Sequence, residues 1–181
     1  MSNKEVEFKF QITKEQKELI QKELNATAEY LGKTRQVDTY YVPKFKSFEL
    51  NGETMECLRI REVDDEKVLG YKKIHREANP VYCDEYELKI ADKTQMEKIL
   101  FATDFEVQMV IDKTRESYKL GKLEFDFDTV LGLGELLEVE LKDETEDVAV
   151  IFDFLKPYGL DKKSVTYKGI QTMLKEATKK I

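Results

Sequence analysis

Charged and apolar residues alternate with period two along much of this chain, first at Glu5-Val6-Glu7-Phe8-Lys9. Successive side chains of a β-strand point to opposite faces, so Glu5, Glu7 and Lys9 share one face while Val6, Phe8 and Phe10 share the other. The same period predicts strands over residues 55–63, with Arg59 and Arg61 opposite Leu58 and Ile60, and over 68–73, with Lys72 opposite Leu69 and Tyr71. It recurs over 85–89, over 107–118 with Lys113 and Arg115 on one face, over 123–128, and over 137–142. β-Branched and aromatic residues predict a further strand at 37–42, ended by Pro43. Turns are expected at Asn51-Gly52, at Asp64-Asp65-Glu66 and at Gly132 and Gly134.

A period near 3.6 marks the helices. One is expected over residues 12–24, with Thr13 and Gln16 as a capping box and Leu19, Ile20 and Leu24 as the apolar stripe. A second follows Asp92 as N-cap, with Met96, Ile99 and Leu100 facing inward. A third starts near Glu144, carries Val148, Ile151, Phe152 and Leu155, and ends at Pro157 and Gly159. A closing amphipathic helix is expected over 164–179 despite Gly169. Glu85-Tyr86-Glu87-Leu88-Lys89 repeats the opening Glu-x-Glu-x-Lys eighty positions later, again before a capped helix. That recurrence suggests an internal duplication.

Composition narrows the function classes. The 181 residues are 41% hydrophobic, enough for one domain with a real core, here taken as residues 1–181 without a linker. A net charge of -7 argues against nucleic acid or an anionic membrane as partner. Cys57 and Cys83 have no spacing that suggests a disulfide framework or a zinc site, and no apolar leader or spanning run occurs, so a soluble cytoplasmic protein is expected. His75, the only histidine, reads as an exposed residue of a polar segment.

The signs of the charges raise a further question. Residues two apart on a strand lie roughly 6.6 Å from each other, so a like-charged pair repels by about 0.6 kcal/mol in water and about 2.5 kcal/mol at an effective dielectric near 20. Glu5/Glu7, Glu85/Glu87, Asp126/Asp128 and Glu138/Glu140 are acidic pairs, while Arg59/Arg61 and Lys113/Arg115 are basic ones. Two architectures accommodate the pattern. One is an antiparallel sheet with its charged face in water. The other is an inverted barrel, with helices over the apolar outer face and a charged lumen where carboxylates hold divalent cations and cations hold phosphates.

Glu5-Val6-Glu7-Phe8-Lys9 resembles the Glu-x-Glu-x-Lys signature of the CYTH superfamily, the triphosphate tunnel metalloenzymes, which includes class IV adenylyl cyclases and thiamine triphosphatases. Similar segments follow in the family's order: 36–41, 58–61, 69–72, Glu85-x-Glu87, Lys113-x-Arg115 and 128–140. Cys83, Gly70 and Leu136 depart from residues common in relatives and bear on substrate more than on fold. The resemblance implies an α+β fold, an eight-stranded antiparallel closed β-barrel with a charged lumen and outer helices.

It further implies Mg²⁺ or Mn²⁺, with Glu5, Glu7, Glu138 and Glu140 as metal ligands and Asp128 as candidate ligand of a second ion. Lys9, Arg59, Arg61, Lys72, Lys113 and Arg115 would clamp phosphates, and Glu7, Lys72 and Asp128 would take part in the chemistry. The expected partner is a small-molecule triphosphate (ATP, tripolyphosphate or thiamine triphosphate), processed by a monomer or homodimer. Conversion of ATP to cyclic AMP and pyrophosphate is the leading expectation. Inorganic or thiamine triphosphate hydrolysis and a non-catalytic polyphosphate- or nucleotide-binding module stand as alternatives. Glu85, Glu87, Lys89 and Lys142 read equally as lumen ion pairs, Glu124 and Asp126 as solvated or paired, and Tyr40 and Tyr41 as packing residues.

Overall fold

The computed structural model describes residues 4–78, 81–142 and 147–178, the side chains of residues 4 and 5 excepted. Strand β1 (Lys4–Ile12) leads into α1 (Lys14–Thr27), which begins where Thr13 accepts from the Gln16 backbone N–H and the Gln16 side chain accepts from the Thr13 N–H. Then come β2 (Glu29–Pro43), the short hairpin β3 (Glu49–Leu50) and β4 (Glu53–Thr54), and β5 (Glu56–Val63), β6 (Glu66–His75) and β7 (Tyr82–Lys89). Helix α2 (Lys93–Ala102) is capped by the Asp92 carboxylate and precedes β8 (Phe105–Leu120), β9 (Leu123–Val130) and β10 (Gly134–Leu141). Helix α3 (Ala149–Leu155), a 3₁₀ turn (Lys156–Tyr158), β11 (Val165–Thr166) and α4 (Ile170–Thr178) complete the description.

Among the described residues, nine strands form one antiparallel sheet in the order β10-β9-β8-β2-β5-β6-β7-β1-β11, and β10 also pairs with β1. The sheet is strongly curled, but it is not the evenly closed eight-stranded barrel that the resemblance implied. The β1–β10 ladder runs from Val6–Leu141 to Ile12–Glu135. The β1–β7 seam is held only at Lys4–Asp84 and Glu5–Cys83. Further along β1, Lys9 and Phe10 pair instead with Thr166 and Val165 of β11, the extra strand.

The inside-out reading of the strands holds. Val6, Phe8, Phe10 and Ile12 of β1, with Phe125, Phe127, Leu137 and Val139, form the main core on the convex face beneath α1 and α3. Tyr41 and Ile60 pack under Leu100 of α2. Tyr40, Ile111, Val130 and Leu136, on the concave parity, meet Ile170 and Met173 of α4, which plugs one end of the curled sheet. The charged parity therefore faces a partly enclosed interior.

Several expectations are corrected. β2 starts at Glu29, because its polar first half pairs with β8 from Glu29–Lys119 onward. Leu19 and Ile99 are exposed, whereas Ile20, Leu24 and Leu100 are buried as expected. The expected start near Glu144 and end at Lys179 lie outside the described residues. The segment before Ile170 is not helical, because Val165 and Thr166 extend onto β1. His75 is half-buried, stacked on Tyr82 with centroids 4.5 Å apart and its Nε2 2.8 Å from Asp84 Oδ2. No described helix is long and apolar enough to cross a membrane.

Gly169 lets α4 approach β4. A Cβ there would lie 2.5 Å from Thr54 Oγ1 and 2.7 Å from Gln171 Oε1. Thr54 is itself buried, 3.3 Å from Thr172 Oγ1, so it has little room to yield. Gly169→Ala is expected to destabilise the protein by about 1–3 kcal/mol, read as a lower midpoint in urea unfolding.

Candidate functional site

Strand register assembles the site row by row. Glu7 of β1 lies opposite Glu140 of β10, which lies opposite Glu124 of β9, so three carboxylates span three adjacent strands. In the next row Lys9 faces Glu138, and Glu138 faces Asp126. Arg115 of β8 lies opposite Asp128, Arg61 of β5 opposite Asp38 of β2, and Lys72 of β6 opposite both Cys57 and Glu85. These strands enclose a cavity of about 220 Å³.

Of the residues expected at the site, Glu7, Lys9, Arg59, Arg61, Lys72, Lys113, Arg115, Glu138 and Glu140 line this cavity. Asp128 does not. Its side chain has no exposed surface and sits beneath the basic pair, with Oδ2 2.6 Å from Lys113 Nζ and Oδ1 2.7 Å from Arg115 Nε. Glu5 lies opposite Cys83 at the seam, and its side chain is outside the description. Glu85, Glu87, Glu124 and Asp126 also line the cavity, whereas Lys89 is exposed and paired with Glu66.

Arg115 is the hub of the cavity's charges. Besides Asp128, its Nη1 lies 2.5 Å from Asp126 Oδ2 and its Nη2 2.5 Å from Glu138 Oε2. Lys9 Nζ is 2.9 Å from Glu138 Oε1, and Lys72 Nζ lies 3.2 Å from Glu85 Oε2 and 3.7 Å from Glu7 Oε2. The Arg59 guanidinium is only loosely held, 3.7 Å from Glu85 and 3.8 Å from Glu87. Lys142 caps the acidic row, 3.5 Å from Glu124 and in contact with Glu140. Burial alone would raise the Glu138 carboxyl, yet Lys9, Arg115 and Lys113 hold it well below the usual range. Burial, reinforced by Arg115, pulls the Lys113 ammonium down to about 8.

Asp38, not among the expected site residues, lies buried behind Arg61 on the β2 parity that Gln36 and Tyr40 share. Its oxygens accept from Arg61 Nε at 2.8 Å and Nη2 at 2.9 Å, a bidentate fork that aims the guanidinium. Burial opposes its charge, but Arg61, Arg59 and Lys113 bring its pKa down to about 2 from an ordinary 3.8. A lowered carboxylate pKa contributes stability that is fully present above the unfolded value and is lost as pH falls through the folded one. Wild-type protein should therefore lose on the order of 2 kcal/mol through Asp38 between about pH 4 and pH 2. Asp38→Asn should flatten the unfolding free energy over that interval, and an unchanged pH slope would contradict the assignment.

The carboxylate row also bears on a metal. Glu7, Glu140 and Glu124 are hard oxygen donors of the kind that Mg²⁺ and Mn²⁺ prefer, and a divalent cation would relieve their mutual repulsion. Among the described residues, no three such side chains converge as a preformed coordination group. The donor chemistry fits a divalent ion, and the side chains would have to draw together around it.

A family model described as the CYTH domain matches residues 3–170. The chain belongs to the CYTH family. Among relatives of this CYTH chain is a Methanocaldococcus jannaschii protein named "Putative adenylate cyclase", 29% identical over 170 residues that cover 91% of this chain and 95% of that protein. A Pyrococcus horikoshii structure superimposes with a TM-score of 0.77 at 25% identity, covering 94% of this chain and 99% of the other. A Hippeastrum structure, titled as a "Putative adenylyl cyclase" with a dominant triphosphatase activity, shares the fold with a TM-score of 0.65. It is 17% identical and covers 96% of this chain and 95% of its own.

Proposed function

We propose that this CYTH protein is a divalent-cation-dependent enzyme acting on a triphosphate bound in the curled sheet, and that the triphosphate is ATP, converted to cyclic AMP and pyrophosphate. One observation carries the triphosphate reading. Six cationic side chains, Lys9, Arg59, Arg61, Lys72, Lys113 and Arg115, converge on one cavity in a protein whose net charge is -7. Seven carboxylates line the same cavity, so the cations would take the phosphate oxygens while a divalent ion held by carboxylates offsets the rest of the roughly four negative charges that a triphosphate brings. The cyclase reading is supported by the name of the Methanocaldococcus jannaschii relative.

Roles follow from placement. Arg61 is aimed by Asp38 behind it and would present a fixed donor to phosphate oxygens at little cost in reorganisation, whereas Arg115, anchored below by Asp128, would exchange its bonds to the cavity-lining Asp126 and Glu138 for phosphate oxygens. Arg59, loosely paired, is free to turn onto a ligand. Asp38 and Asp128 act as positioning residues, and Asp128 does so in place of its expected part as a ligand. Glu7 and Glu140, with Glu124 in the same row, would hold the cation, and Glu138 would join them only by giving up its pairs with Lys9 and Arg115; the ion would supply charge neutralisation at phosphate oxygens.

The experiment is a parallel assay of purified protein with Mg²⁺ or Mn²⁺ and ATP, tripolyphosphate or thiamine triphosphate, measuring cyclic AMP, pyrophosphate and orthophosphate. Cyclic AMP with stoichiometric pyrophosphate is expected. Orthophosphate alone would replace the cyclase with a triphosphatase, and micromolar binding without turnover would leave a binding module.

A further inference from the structure

We propose that the gap between β1 and β7 is a second subsite of this cavity, one that takes the uncharged aromatic ring of an organic triphosphate. The inference rests on the triphosphate reading and adds what the charged cavity by itself does not specify, the chemistry at the other end of the substrate.

The subsite follows from how the sheet fails to close. After the pairs at Lys4–Asp84 and Glu5–Cys83, β1 and β7 part, and β11 pairs with β1 at Lys9 and Phe10. A side chamber of about 70 Å³ lies in the window so framed. It is continuous with the main cavity, because Glu7, Lys9, Ile74, Cys83 and Gly169 line both. A molecule with its phosphates among Arg59, Lys72 and Lys9 can thus extend sideways past Lys9 without leaving the protein.

The lining changes character along that path. Beyond Lys9 the walls are Ile74, Val81, Tyr82, Val165 and Tyr167, an apolar and aromatic set unsuited to phosphate. The charged groups at its rim are largely engaged: Arg76 donates from Nη2 to the Thr54 and Tyr167 carbonyls and lies 3.1 Å from Glu53, its buried Nε alone making no hydrogen bond among the described residues, and Lys168 is 2.6 Å from Glu176. Each of the two aromatic walls has a partner that fixes its ring. Tyr82 stacks on His75, itself bonded to Asp84, and the Arg76 guanidinium lies 5.5 Å from the centre of the Tyr167 ring. Aromatic surfaces held in place next to a phosphate site suit a flat ring such as a nucleobase, and such stacking is worth about tenfold in affinity per contact.

The test compares two ligands on the full chain with Mg²⁺ present. Tyr167→Ala and Tyr82→Leu, the latter keeping apolar bulk, should each weaken ATP binding about tenfold while tripolyphosphate affinity stays within about twofold. Tripolyphosphate serves as the fold control, and Tyr167, partly exposed, keeps the test alive if Tyr82→Leu does not fold. Unchanged ATP affinity in a variant that still binds tripolyphosphate, or an equal loss for both ligands, overturns the subsite. Failure of wild-type protein to bind tripolyphosphate sinks the triphosphate reading, and this inference falls with it.

Discussion

Arg115→Ala is expected to abolish measurable triphosphate binding and to destabilise the protein by about 3–5 kcal/mol. Both effects trace to one guanidinium that spans Asp126, Asp128 and Glu138. Deletion leaves Asp128, fully buried, with Lys113 as its remaining short partner, and Glu138 with Lys9. Uncompensated buried charge is costly, so the stability loss should exceed that of a surface ion pair several-fold. The two effects can be separated. Adding Asp128→Asn to Arg115→Ala removes the orphaned charge and should restore part of the stability in urea unfolding, while triphosphate binding stays lost. Recovery of binding along with stability would mean that Arg115 serves only the fold.

Glu7→Ala should act in the opposite way, lowering metal-dependent turnover by at least about 100-fold with little change in stability. Glu7 is partly exposed and its nearest cation, Lys72, is 3.7 Å away, so little native pairing is lost. Its removal also relieves repulsion against Glu140, directly opposite on β10. The expected signature is an unaltered unfolding midpoint with kcat collapsed at saturating Mg²⁺ or Mn²⁺. Wild-type turnover in the variant would take Glu7 out of the site.

Which residues face inward was legible in the sequence, because strand parity follows directly from a period-two pattern. β1, β5, β9 and β10 carry that pattern cleanly, and their charged faces met in one cavity. Depth was not legible. Asp126 and Asp128 share a parity, yet Asp126 lines the cavity and Asp128 lies beneath Arg115, because alternation says which way a side chain points and not what stands in front of it. The first half of β2 was hidden for another reason. Glu29, Lys33 and Arg35 carry little strand signal of their own, and pairing with the long β8 makes the segment a strand. β11 is two residues inside the helix expected over 164–179, and its contribution comes entirely from a long-range partner on β1. The recurrence at Glu85 to Lys89 was visible. The divergence of its ends was not: Glu85 and Glu87 join the cavity, while Lys89 turns outward to Glu66.

The central claim is that a charged cavity within the curled sheet holds a triphosphate, and calorimetric titration of tripolyphosphate into the full chain with Mg²⁺ tests it most directly. The account predicts one site per chain with micromolar affinity that weakens as salt is raised, and that is lost in Arg115→Ala but kept in Tyr167→Ala. No binding at about 1 mM ligand, or binding indifferent to Arg115, would contradict it.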